Sequence, residues 1–249
     1  MESIINLFSD LKRDKIELFI LTIYNIIFTF FLFGIFNFLI QPTVTKLLGY
    51  NFDIFMLNSI MIPLTSLMGF VMGSISIHKA NHQHKIIPNL KIISGGLGSF
   101  YKRNIFKVLV EVVAQIIISF VLLLLLISPE LNYSLLLPYI FMLLLLNLFF
   151  INLGMIIGCF DRRKILHVFS LEFLFLIVFA MGGMVVPARL YPLGIQKLME
   201  YFPGTVILKG GVNILLTNFR ELLLPAVYIF LLNVVSIIFS NWFLGKEKR

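Results

Sequence analysis

Few residues in this chain combine reactive chemistry with a spacing that could use it. His78, His82 and His84 include an i,i+4 pair able to share one helix face, the usual geometry for two metal ligands. No nearby Cys, Asp or Glu completes such a site, and lysines crowd it, so no metal is expected. The glycines at 95, 96 and 98 match neither a G-x-x-x-x-G-K-[ST] phosphate loop nor a G-x-G-x-x-G dinucleotide loop. The chain therefore has no recognisable ATPase of its own. It contains no G-x-S-x-G and no H-E-x-x-H, and its 12 acidic residues are too sparse for a paired-carboxylate site. No catalytic residue is expected.

The remaining polar groups lie within apolar runs. Lys107, Glu111 and Gln115 follow i,i+4 spacing and are read as interface anchors with a local ion pair. Glu172 lies about 12 Å along a helix axis past Lys164. A charge at that depth costs a few kcal/mol on insertion scales, so this residue faces protein or water, or carries a proton. It either pairs with Arg162, Arg163 or a neighbouring helix, or it belongs to a translocation pathway or gate. Asn25, Asn37, Asn58, Asn147, Asn152 and Asn233 are expected to bridge helices.

The elements that carry these groups follow from composition. Of 249 residues, 59% are hydrophobic and 13% charged, with mean hydropathy +1.00. No soluble domain hides that much apolar surface, so the chain reads as one all-α polytopic membrane domain over 1–249. A span needs about 20 apolar residues. Six segments meet that need: Leu18–Ile40, Ile54–Ile77, Ile105–Ile127, Leu135–Gly158, Ile165–Val186 and Leu222–Leu244. Each is expected to be helical, because only a helix pairs its own backbone groups in lipid.

Charge sets the orientation. The net charge of +8 might suggest nucleic acid, but its location in the loops favours membrane orientation, and no nucleic acid partner is expected. Fifteen Lys and Arg fall on the side holding both termini and five on the other, which places the termini in the cytoplasm. Residues 1–17 carry Ile4, Ile5, Leu7, Phe8 and Leu11 at helical spacing and read as an interfacial helix on membrane lipid. The longest cytoplasmic connection, 78–104, contains "IIPNLKII", where a short helix followed by a turn at Gly95–Gly98 would project an apolar knob. The lone Cys159 excludes an internal disulfide. Richness in Ile, Leu, Phe, Asn and Lys is compatible with an AT-rich bacterial genome.

The outward segment after the fifth span reads "GGMVVPARLYPLGIQKLMEYFPGTVILKGGVNIL". Proline removes a backbone donor and disrupts a helix interior, so Pro187, Pro192 and Pro203 break this stretch repeatedly. The segment resembles the signature region of the type-2 ABC transporter permease family, the membrane-spanning subunits of bacterial ABC exporters. The matching residues are Gly182, Gly183, Pro187, Pro192 and Phe202–Pro203. The resemblance extends to the six-span layout with both termini inside, the leading interfacial helix and the long second cytoplasmic loop.

The resemblance implies a plasma-membrane half-transporter that pairs with a second permease, identical or homologous. It also implies two ABC ATPase subunits, which bind ATP and Mg, with no cofactor in this chain. A coupling helix at about 81–92 would dock on the ATPase, with Ile86, Ile87, Pro88 and Leu90 as contacts. Many relatives carry an acidic residue and a Gly-Thr pair soon after the second span, where this chain has "HKANHQHK". Residues 187–217 would form an outer re-entrant helical hairpin that closes a path running beside the second and fifth spans. The implied cargo is amphipathic or hydrophobic: a peptide, a drug or a lipid-like molecule. Export of a lipid-linked polysaccharide, an ion-coupled secondary transporter and a non-transporting scaffold or sensor are the alternatives.

Overall fold

The computed structural model describes residues 15–40, 52–80, 96–127, 136–160, 191–200, 203–216 and 223–246. Every element among them is a helix: α1 (Lys15–Ile35), α2 (Phe52–His78), α3 (Gly96–Ile127), α4 (Leu136–Phe160), α5 (Leu193–Glu200), α6 (Pro203–Leu216) and α7 (Leu223–Lys246). A π-helical turn, Phe36–Ile40, extends α1. Among the described residues three helical stretches are long and apolar enough to cross a membrane: Phe52–His78, Gly98–Ile127 and Leu136–Gly158. Shorter apolar stretches lie in α1 (Thr22–Phe38) and α7 (Pro225–Phe239). The expected fifth span and the first fourteen residues fall outside the described residues.

α2 is the axis of the bundle. Every residue from Ile54 to Ser74 is buried, so the helix is enclosed on all sides. It is correspondingly apolar all round, the pattern of a central helix and not of a surface one. Its main partner is α4, with α3, α6 and α1 also against it. α1, α3 and α7 turn large apolar side chains outward, among them Phe19, Phe31, Ile117, Leu125, Phe230 and Ile238. In a bilayer such faces meet hydrocarbon at no cost.

One expectation fails here. The glycines at 95–98 were to form a turn ahead of a span starting at Ile105, yet α3 is already helical at Gly96. Gly98 has open space around it and contributes no packing of its own. The first two turns of α3 are held instead by their neighbours. Phe100, Tyr101 and Ile105 pack on the core, and Asn104 and Val108 are buried. Tertiary contact on one face outweighs a helix penalty of about 1 kcal/mol per glycine. Polar bonds fix the same end: the Ser76 hydroxyl donates to Asn104 Oδ1 (2.6 Å), and the Tyr101 hydroxyl donates to Asn152 Oδ1 (2.8 Å).

Candidate functional site

Two kinds of helix contact organise the buried polar groups. The first is a hydrogen-bonded seam between α1 and α3. Lys107, Glu111, Gln115 and Ser119 recur every four residues and share one face of α3 over about 18 Å. Asn25 of α1, 1% exposed, meets that face. Its Nδ2 donates to Gln115 Oε1 at 2.9 Å and to Ser119 Oγ at 2.8 Å, with a longer contact of 3.4 Å to the Gln115 carbonyl. Ser119 Oγ in turn lies 3.1 Å from Asn25 Oδ1. Gln115 Nε2 donates to Thr22 Oγ1 at 2.9 Å, and the Thr29 hydroxyl donates to the Asn25 carbonyl at 2.7 Å. At the foot of the ladder, Lys107 Nζ stands 4.0 Å from Glu111 Oε1.

The second kind is glycine packing. Gly69 and Gly73 on α2 abut Asn147 and Ile151 of α4, and Gly154 and Gly158 on α4 abut Phe70, Ser74 and Ile77 of α2, so each helix presents a G-x-x-x-G pair to the other. A Cβ at Gly73 would sit 2.5 Å from the Ile151 carbonyl oxygen, and one at Gly158 would sit 2.5 Å from the Ser74 carbonyl oxygen. One at Gly154 would strike the Phe70 carbonyl. Backbone approach this close is open only to glycine. The spacing was present in the sequence, but nothing there said that both pairs lie in the α2–α4 interface.

α6 enters this core from the side of the proline-rich segment. Pro192 is exposed and opens α5: its carbonyl accepts hydrogen bonds from the amides of Ile195 (2.8 Å) and Gln196 (3.0 Å). Gln196 Nε2 donates back to the Tyr191 carbonyl at 2.6 Å. Pro203 is the first residue of α6, the position where a missing N–H costs nothing. α6 packs against α2, α4 and α7. Thr205 to Leu208 and Gly210 to Val212 are buried, while Lys209 is exposed. Gly210 abuts the ring of Pro225 on α7, and Gly211 abuts Asn58 Oδ1 and Ile62 on α2. A helix within 187–217 was expected, but its glycine contacts with Pro225 and Asn58 were not legible in the sequence.

The asparagines divide into two sets. Asn25 ties α1 to α3, Asn152 accepts from α3, and Asn233 Nδ2 donates to the Leu145 carbonyl of α4 at 2.9 Å. These bridge helices as expected. Asn58 and Asn147 do not: each donates to the carbonyl four residues back in its own helix, at 2.8 Å. Their Oδ1 atoms are buried without a hydrogen-bond partner and press on Gly211 and Gly69 respectively.

Of the residues singled out in the sequence, Pro192 and Pro203 are placed as above. Ile86, Ile87, Pro88, Leu90, Glu172, Gly182, Gly183 and Pro187 lie outside the described residues, as do His82 and His84. Among the described residues no group of three or more His, Cys, Asp or Glu side chains gathers as a metal site would require. No protein-family model, curated protein or solved structure matches the chain.

Proposed function

We propose that this chain is the permease subunit of an ATP-binding-cassette exporter in a bacterial plasma membrane. In this reading it moves an amphipathic or hydrophobic substrate outward with a second permease copy, driven by a separate ATPase. The observation that carries the reading is α6. Its 14 residues reach about 21 Å, short of the roughly 30 Å of a hydrocarbon core, yet it is sunk among α2, α4 and α7. Helical backbone that enters a bundle without crossing it is suited to plugging one end of a path, and non-spanning backbone at membrane depth survives only against protein or water. Pro192 and Pro203, which start α5 and α6, belong to the proline pattern on which the family resemblance rests. The assignment of cargo rests on the apolar spans and the "GGMVVP" step.

ATPase closure would pull on the cytoplasmic segment 81–95, which joins the enclosed α2 directly to the 32-residue α3. The test is assembly. The chain is expected to co-purify with an ABC ATPase and to support its ATP hydrolysis in proteoliposomes. Lys85→Glu combined with Leu90→Asp should uncouple the two. If assembly and hydrolysis survive that pair of changes intact, the coupling assignment is wrong. If no ATPase associates at all, the exporter reading falls with it.

A further inference from the structure

The enclosed state of α2 creates a problem for any outward path beside it, because no face between Ile54 and Ser74 is open. Some contact must part. The interfaces differ sharply in what parting them would break. Separating α1 from α3 would leave Asn25, Gln115, Ser119 and Thr22 without the partners they have now, in a setting where lipid supplies none. Separating α4 from α2 would pull apart backbones seated on each other at Gly69, Gly73, Gly154 and Gly158.

The α2–α6 contact lacks such backbone seats. The nearest atoms to Gly211 are side-chain atoms of Asn58 and Ile62, and Asn58 Oδ1, like Asn147 Oδ1 against Gly69 on the α4 side, has no hydrogen bond to lose. Asn58 is fully buried and donates its own amide protons within α2. One residue further, the buried Ser59 hydroxyl also lacks a partner. Pro63 lies four residues after Ser59 and removes the N–H that the Ser59 carbonyl would take in a regular helix. Unpaired acceptors thus gather on α2 at the level where α6 lies against it. Buried acceptors without partners raise the free energy of the closed arrangement, and water relieves that cost as soon as it enters.

We propose that α6 is the moving element of the bundle: it parts from α2 at the Asn58–Gly211 contact and hydrates Asn58, while α1 and α3 stay joined. This deepens the exporter reading, on which its meaning as a gate rests, by naming the contact that opens and the one that does not. The glycine pair 210–211 lets α6 sit closely between Pro225 and Asn58, while Ile207, Leu208 and Val212 pack into the core through apolar contacts, which carry no directional bond to break.

The test needs no transport. In a Cys159→Ser background, single cysteines replace Asn58 or Ser119, and each is exposed in detergent to a small water-soluble methanethiosulfonate. Asn58→Cys should react at least about tenfold faster than Ser119→Cys, a ratio equivalent to about 1.4 kcal/mol in opening free energy. Equal rates, or a faster Ser119→Cys, would overturn the proposal. Hydrogen exchange provides a second measurement with the native asparagine and serine in place. Gly211→Ala puts a Cβ against Asn58 Oδ1 and should speed amide exchange in 205–212 while leaving 108–123 unchanged. Faster exchange in both segments would overturn it as well. A chain that passes both tests yet recruits no ATPase keeps the moving helix and loses the exporter.

Discussion

Replacing Asn25 with leucine keeps the side chain's volume and removes its polar ends. The amide makes three close contacts across the seam: Nδ2 to Gln115 Oε1 and Ser119 Oγ, and Oδ1 to Ser119 Oγ. Interhelical hydrogen bonds in membranes average about 0.6 kcal/mol each, so the direct loss is about 2 kcal/mol. Stranding Gln115 Oε1 adds to this, because a buried acceptor deprived of its partner costs about 1–3 kcal/mol. Asn25→Leu should therefore destabilise the fold by about 3–5 kcal/mol, read by reversible SDS titration in mixed micelles. Ser119→Ala removes part of the same set and should cost less. Because the two residues share bonds, the double substitution should cost less than the sum of the singles, by about 1 kcal/mol. If the two changes add to within about 0.5 kcal/mol, the seam does not hold α1 on α3 and the reasoning is refuted.

Three further outcomes are expected from the same titration or from thermal melting. Gly154→Ala, whose Cβ would strike the Phe70 carbonyl, should destabilise by about 1–3 kcal/mol as the α2–α4 backbones are forced apart. Gly98→Ala meets nothing within 4 Å inside a helix and should stabilise by up to about 1 kcal/mol. Asn233→Leu removes the tie from α7 to the Leu145 carbonyl and should cost about 0.6–1.7 kcal/mol, with α7 amides exchanging faster than those of α4.

The sequence by itself pointed to helices apolar enough for lipid, and every element among the described residues is a helix. Long apolar runs leave no other way to pair a backbone in hydrocarbon, and the boundaries follow from where those runs stop. The runs around Ile54–Ile77 and Leu135–Gly158 became α2 and α4 with ends shifted by no more than two residues. The proline punctuation was also legible, since a residue without an N–H belongs at a helix start, and Pro203 stands there. The early start of α3 was not legible. Its glycines argue locally for a turn, and only the packing of Phe100, Tyr101 and Asn104 argues otherwise.

What tertiary structure alone decided is which polar group meets which. Asn25 and Asn58 look alike in the sequence, each a lone amide in an apolar run. One meets Gln115 and Ser119 and is satisfied, and the other meets the bare Cα of Gly211 and is not. The physical reason lies in the period of the helix. The pattern of residues along one helix says which of them share a face, but the rotation and height of the helix opposite decide what that face finds. For this protein, that choice separates the helix pair held together by hydrogen bonds from the pair able to open.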